Sequence, residues 1–432
     1  MAEEEVRSFL RRLGEEFPSA LGPEEPLPLR PLSRGPISLE ELQGESLELG
    51  LRLLDTWSTP AELSALLCQA AVAKVLQSDL SPFHCPPETQ PTQEQDQDQV
   101  QLLQSEPFQR FFLNTLREVG MAWHRTPPTL SPSSTSFVPL CFTHAIRNTR
   151  RKMEDRHLAL AQFSQLFNLQ DGVERRYYAV FDGHGGVDAA TFASAHLQVC
   201  LSRQPELRSD AAAAFRHAFQ LTDRMFRDKA RRERLRSGST GVAVLIQDQT
   251  LTLAWLGDSQ ALLVSQGNVV HLMEPHKPER EDERRRVEDL GGCVTFNGCW
   301  RVNGTYAVSR AIGDFDQKPY VSGEADCCTT QLSGVEDYLL LACDGFFDTV
   351  TPAEVPQLVL DVLGGGEGDA ATGEGVAQKL VAHAREAGSS DNITVMVVFL
   401  RPPQSVLAQG RVASATTQPG PDNYNTQDAS EQ

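Results

Sequence analysis

The spacing of apolar positions changes character partway along the chain. In the first 125 residues it is helical: Val6, Phe9, Leu10, Leu13 and Phe17 recur three and four apart, and Phe108, Phe111, Phe112, Leu116 and Val119 form another stripe. Ser38 with Glu41 has the spacing of a capping box, and Thr59-Pro60-Ala61-Glu62 predicts a second box with proline at the first helical position. Residues 1–125 are therefore expected to be helical, broken at 86–100 by a Gln-rich, charged stretch whose composition suits a solvated linker. The run RTPPTLSPSSTS predicts a second linker over 126–138.

Beyond it the pattern is short and β-rich. Strands are expected at Tyr177–Phe181, Thr240–Ile246, Leu251–Leu256, Tyr338–Cys343 and Ile393–Leu400. Helices interrupt them: Phe215, Ala218, Phe219, Thr222 and Phe226 share a helical face, and the charged run Glu279–Leu290 stops at Gly291-Gly292. Strands and helices do not alternate one for one, so the expected class is α+β with antiparallel sheets rather than a doubly wound parallel fold. This second unit is expected to span 139–401, and the polar tail 402–432 to be disordered.

Composition narrows the function classes. The 432 residues are 40% hydrophobic, ordinary for a globular protein, and 39 basic against 58 acidic side chains leave a net charge of −19. Such a surplus disfavours wrapping a nucleic-acid backbone or lying on anionic lipid. Nine cysteines form no CxxC pair and read as reduced thiols. The opening MAEEEVRSFLRRLG lacks the order of a signal peptide and no stretch approaches a membrane span, so cytoplasm or nucleus is the expected address, without membrane insertion.

The informative chemistry is where the aspartates fall. Asp182 follows YYAVF, Asp344 follows YLLLAC, Asp258 follows LTLAWLG, and Asp391 stands just before ITVMVVFL. One Asp-Gly at a strand end is usually a turn, but four carboxylates at the ends of buried strands suggest a site on rigid platforms. Gathered together they would raise one another's pKa unless cations neutralised them, and an oxygen-rich set of this kind suits Mg²⁺ or Mn²⁺. Two such ions can acidify a shared water into a nucleophile at neutral pH, which is hydrolytic machinery.

Taken in order, RKMED (151–155), VFDGHGG (180–186), GST (238–240), WLGDS (255–259), AVSRAIGD (307–314), ACDGFFD (342–348) and SDNIT (390–394) resemble the metal-dependent protein serine/threonine phosphatases of type 2C. HAIRNTRRKMEDRH and QKPYVSGEAD are similar to the calcium/calmodulin-dependent protein kinase phosphatase subgroup. The resemblance implies two antiparallel β-sheets packed as a sandwich, flanked by helices, with Mn²⁺ or Mg²⁺ at one end: two ions and a weaker third. It makes Asp182 the bridging ligand, gives the Gly183 carbonyl to the same cluster, and adds Glu154, mostly through water. Asp344 and Asp391 would hold the second ion, and Asp258 with Asp344 and Asp348 the third. Arg150 would bind phosphate, and His184 would protonate the departing serine or threonine oxygen after direct attack by the metal-bridging water or hydroxide. Substrates would be phosphorylated proteins, calmodulin-dependent kinases among them. Gln260 departs from the pattern, since many members have arginine there.

Other patterns carry less. RDKARRERLR (227–236) continues an amphipathic helix and reads as a solvated face rather than a nucleic-acid site, and GGGEGDAATGEG (364–375) lacks the Lys-Ser/Thr of a phosphate loop. Cys343 reads as packing. A kinase is excluded by the lack of HRD and DFG, and a covalent aspartyl phosphatase by the spacing of DGFFD. A catalytically weak phosphatase-like scaffold is disfavoured because no member of the site set is lost. The N-terminal helices, which contribute none of these groups, are expected to regulate or target the enzyme, to bind protein partners and to be dispensable for chemistry.

Overall fold

The computed structural model describes residues 3–31, 35–86, 101–126, 138–365 and 372–416, with side chains to 410. Most of the Gln-rich stretch and of the second linker, and half of 364–375, lie outside the described residues.

Two five-stranded antiparallel sheets form the centre. One runs β11 (Asn268–Val270), β10 (Gln260–Ser265), β16 (Glu336–Ala342), β17 (Ile393–Phe399), β3 (Leu140–Ile146); the other runs β15 (Asp326–Gln331), β9 (Thr250–Leu256), β8 (Gly241–Gln247), β5 (Arg175–Phe181), β4 (Arg156–Leu160). Their facing sides share one apolar layer. Tyr178, Val180, Val244 and Leu253 from the second sheet meet Leu263, Leu339, Leu341 and Met396 from the first. The intervening residues of the same strands point outward and are buried too, Tyr177, Ala179 and Phe181 on one side and Leu340, Val395 and Val397 on the other. Burial on both faces explains why these strands read as continuous apolar runs instead of alternating.

Helices cover both outer faces. α10 (Val355–Gly364) and α11 (Val376–Glu386) cover the first sheet, and α12 (Pro403–Thr416) packs on α10 with Val406 buried. The expectation of disorder from 402 therefore fails for 403–416, where a few apolar positions reach a neighbouring helix that the polar composition concealed; 417–432 lie outside the described residues. α6 (Asp188–Ser202) and α7 (Ala211–Glu233) cover the second sheet. Between β11 and β15, α8 (Glu281–Asp289) and the hairpin β12 (Val294–Asn297) and β13 (Cys299–Val302) enclose a small core of Val287, Val294, Val302 and Val321.

The N-terminal region is helical as expected: α1 (Glu3–Glu16), α2 (Leu42–Thr56), α3 (Ala61–Leu76) and α4 (Ser105–Arg125), clasped by the short pair β1 (Ile37–Ser38) and β2 (Leu102–Leu103). The first capping box forms, with Ser38 N–H donating to Glu41 Oε2 (3.1 Å) and Glu41 N–H to Ser38 Oγ (3.3 Å). The second does not. Thr59 Oγ1 donates back to the Leu54 carbonyl (2.6 Å) at the end of α2, beside its own N–H (3.1 Å), and α3 starts after Pro60 without a side-chain cap.

These helices bury their stripes on one another and on the catalytic body. α2 lies along α6, α3 on α5 (Phe163–Leu166), and a single apolar cluster runs from Leu10 and Phe112 through Phe192 to Phe219. Arg232 of α7 donates to both oxygens of Glu41 (2.9 and 3.0 Å), a buried pair whose disruption would strand a charge. Gly44 sets the approach of α2 to α6: a Cβ there would lie 2.2 Å from His196 Nδ1 and 2.6 Å from the Ala195 carbonyl oxygen. Gly44→Ala should therefore cost about 1–3 kcal/mol through overpacking. Thermal denaturation of the full-length protein should show a lowered midpoint, and an unchanged midpoint would mean that the interface yields freely.

Candidate active site

Strand register brings the predicted acids to one end of the sandwich. Ala342, the last residue of β16, pairs with Val395 near the start of β17, while Arg156 at the start of β4 pairs with Phe181 at the end of β5. Ile146, ending β3, faces Ile393, and β9 ends at Leu256 alongside the start of β8. Consequently Asp344 and Asp391 leave the first sheet, and Asp155, Asp182 and Asp258 the second, at the same edge.

The two Asp-Gly steps are not turns of positive φ. A Cβ on Gly183 would lie 2.6 Å from the Glu154 carbonyl oxygen, and one on Gly345 would lie 2.0 Å from the Asn392 carbonyl oxygen. Glycine is needed at both because the neighbouring acidic segment crosses against the backbone.

Electrostatics report the crowding. Burial, with the charges of Asp344, Asp155 and Asp258, holds the Asp182 carboxyl well above the usual range, and Asp182 shares a hydrogen bond with Asp344. Burial and Asp344 push Asp258 up to about 7, only partly opposed by Lys277. Burial takes Asp155 to about 6 although Thr394 Oγ1 donates to its Oδ2 (2.6 Å). Asp344 is raised by its own burial despite the bond from Asp182, with Asp348 and Asp391 adding to the shift. A set of hard oxygen donors straining to share protons is one that a divalent cation would relieve. One candidate group of ligand atoms, from Asp155, Asp182 and Cys343, lies within 4.8 Å of one another, and the second Asp155 oxygen is buried without a hydrogen-bond partner. The residues present therefore fit Mg²⁺ or Mn²⁺. Cys343 fits less well as a ligand to these hard cations: it is buried, and its thiol is pushed far up by burial and the surrounding carboxylates.

Glu154 is half-buried, and its N–H donates to Asn392 Oδ1 (2.8 Å). Arg150 is exposed and pairs with Asp391. Asp348 is exposed, ending α9 (Asp344–Phe347) 3.6 Å from Lys277 Nζ. Gln260 begins β10, half-buried beside Ala342.

His184 belongs to a small sheet made of β6 (Gly183–His184), β7 (Gly238–Ser239) and β14 (Ile312–Gly313). This sheet brings Asp314 to it from 130 residues away, with His184 Nε2 2.6 Å from Asp314 Oδ2. Burial would lower the imidazole pKa, but Asp314, with help from Asp258 and Glu154, outweighs it and raises it.

Sequence reasoning missed several contributors. Asn392 Nδ2 donates to the Arg147 (2.9 Å) and Lys152 (3.0 Å) carbonyls, pinning the loop that carries Arg150 and Glu154. Asp155, Asn392, Thr394 and Asp314 all lie inside the quoted motifs, so the signal was present without a role attached. Lys277 lay in no motif. Ser309 and Arg310, also in a motif, serve structure instead: Arg310 forks onto Glu283 and reaches Asp326.

A sandwich with this acidic end defines a metal-dependent serine/threonine protein phosphatase, and residues 140–393 match the family model "Protein phosphatase 2C". The chain belongs to that family. It is 52% identical over 413 residues to Protein phosphatase 1F of Homo sapiens, covering 94% of this chain and 90% of that protein. With Protein phosphatase 1E of Homo sapiens the identity is 50% over 381 residues, 88% of this chain and 49% of that protein. A solved structure described as a C. elegans sex determining protein superposes with a TM-score of 0.70 at 25% identity, covering 94% of this chain and 97% of that one, so the likeness includes the N-terminal helices. Among the described residues no helix is long and apolar enough to cross a membrane.

His184→Gln should depress kcat on phosphothreonine peptides far more than on an aryl phosphate, because an alkoxide needs a proton to leave and a phenolate does not. Equal losses on both substrates would give His184 a positional role only.

Proposed function

We propose that the acidic end of the sandwich holds two Mn²⁺ or Mg²⁺ ions, one through Asp182, the Gly183 carbonyl and Glu154, the other through Asp182, Asp344 and Asp391, with Asp258, Asp344 and Asp348 forming a weaker third site. The observation that carries this is the convergence of carboxylates whose burial and mutual repulsion raise several of their pKa values together. When bound, such ions neutralise the cluster and acidify a water able to attack phosphorus.

The chain's own residues carry the rest. Arg150 has the exposure and reach to exchange its Asp391 partner for paired phosphate oxygens, for which a guanidinium fork is suited. Because His184 Nε2 is engaged by Asp314, Nδ1 is the nitrogen left to donate to the departing oxygen. The Asp314 carboxylate favours the imidazolium that such donation requires. The substrates are phosphoserine and phosphothreonine proteins. Calmodulin-dependent kinases among them are supported by the similarity of HAIRNTRRKMEDRH and QKPYVSGEAD to that phosphatase subgroup.

Asp344→Asn keeps shape and removes one anionic ligand, so turnover at saturating Mn²⁺ should fall by several orders of magnitude. The metal-free variant should melt no lower than the metal-free parent, since one repelling charge is gone. Parental activity would sink the ligand assignment, as would full activity of the parent in EDTA.

For the N-terminal helices the reading is regulatory or targeting: residues 1–125 supply none of the groups above, yet they are docked on α6 and α7. A chain starting at Val138 should retain hydrolysis of p-nitrophenyl phosphate at low temperature but melt earlier, because Phe192 and its neighbours lose their cover. Loss of hydrolysis at every temperature would make these helices part of the catalytic core.

A further inference from the structure

The C-terminal half of α7 carries a row of arginines that the reaction described above does not use. Arg224, Arg227 and Arg231 recur three and four residues apart on one helical face, and Arg234, at the left-handed helix end (φ 57°), and Arg236 extend the row. Arg224, Arg231, Arg234 and Arg236 are exposed, their side chains make no ion pair or hydrogen bond with any described residue, and the Arg227 Nε finds only the adjacent Asp228, at 3.7 Å. Two of the three acids of the same helix are directed elsewhere: Glu233 holds Lys229 (2.9 Å), and Asp223 holds Lys318 (3.2 Å) and the Gly313 N–H (2.8 Å). Like charges at this spacing repel, and on the helix only Asp228, itself exposed, stands against them.

The row forms one wall of an open groove of about 1010 Å³, whose other wall is the segment Phe315–Glu324. Six cationic side chains, the five arginines and Lys318, face three acidic ones, Asp223, Asp316 and Glu324, on a chain whose net charge is −19. One end of the groove adjoins the segments that position His184. Arg236 precedes Ser237 and β7, the partner strand of His184, and its carbonyl oxygen lies 3.8 Å from where a Cβ of Gly185 would be. On the opposite wall Phe315 follows Asp314, the partner of His184. From Arg224 to Arg234 the helix rises about 15 Å, the span of four or five residues of extended peptide.

We propose that this groove binds an anionic segment flanking the phosphoresidue of the protein substrate, its guanidinium groups taking the carboxylates or second phosphoryl group of that segment. The proposal rests on the phosphatase reading of the His184 site. Arginine forks match both kinds of oxygen pair, and the position of the groove at the leaving-group side of the centre gives the charge a use that a solvated helix face lacks. A polynucleotide is disfavoured by the overall negative charge and by the lack of a row of exposed aromatic rings along the groove.

The test uses the full-length protein and the pair Arg231→Glu with Arg234→Glu, both exposed and outside the catalytic groups. kcat/KM is measured on phosphothreonine peptides flanked by glutamates, by a second phosphoserine, or by lysines, with p-nitrophenyl phosphate as a substrate too small to reach the groove. The parent should prefer the glutamate-flanked or doubly phosphorylated peptide over the lysine-flanked one by about tenfold at low salt. The preference should shrink below about twofold in the variant and at high salt, while p-nitrophenyl phosphate hydrolysis stays at the parental rate. A preference for the doubly phosphorylated peptide alone assigns the groove to a phosphoryl group; a preference for both assigns it to anionic side chains generally. The same discrimination in parent and variant overturns the proposal, as does a parent that discriminates against neither. Binding of a single-stranded oligonucleotide that the variant loses, without any peptide preference, overturns it in favour of nucleic acid. Failure of the parent on p-nitrophenyl phosphate would fault the phosphatase reading and leave the groove to be judged by peptide binding alone. If the glutamates lower the melting midpoint, Arg231→Gln with Arg234→Gln carries the same expectations.

Discussion

Carboxylates crowded into partly desolvated space set the terms for the rest of this structure. Asp155, Asp182, Asp258 and Asp344 each have a raised pKa, with burial the leading cause in every case. Such an arrangement is unfavourable on its own, and it persists only because a stiff framework holds it. Two sheets, each hydrogen-bonded across five strands and buried on both faces, supply that stiffness. The acids sit at the ends of the strands, where the backbone leaves the ladder but is still fixed by it.

A second tier of contacts turns strand ends into a defined geometry. Asn392 spans two carbonyls and one amide of the 147–154 loop, tying the acids that precede β4 to the one that precedes β17. Thr394 orients Asp155. The three-stranded β6-β7-β14 sheet does the same for His184, and a Cβ on Gly238 would lie 2.3 Å from the Asp314 carboxylate, so glycine there makes room for the partner of His184. None of these groups needs to touch phosphate; each holds in place a residue of the acidic end or of the His184 pair.

The N-terminal helices and the catalytic body are joined by both apolar and ionic contacts. Glu41 closes a helix cap with Ser38 while receiving Arg232 of α7, so the start of α2 and the end of α7 are fixed by one side chain. A few residues beyond Arg232 the chain reaches Arg234, Arg236 and then β7. The docking surface of the N-terminal region, the arginine-lined groove and the strand paired with His184 thus succeed one another along a short stretch of α7 and its exit.

The sequence by itself determined five of the ten strands of the two main sheets, the helical stripes and the identity of the acids at strand ends, because doubly buried strands read as unbroken apolar runs and Asp-Gly marks two of their ends; the outer strands, less continuously apolar, did not stand out. It also carried the family, through seven motifs in order. It did not determine where the helical stripes of residues 1–125 are buried, since a stripe of Phe and Leu suits many surfaces; only packing showed α2 on α6 through the bare Cα of Gly44. Nor could local spacing show that Thr59 would turn back to Leu54, that α12 would find α10, or that His184 would meet Asp314 130 residues on. The arginine row of 227–236 was legible as charge and not as a groove, because its second wall is chain eighty residues away. Periodicity records which face a segment buries; what lies against that face is settled by register and close approach between distant segments, which exist only once the chain has folded.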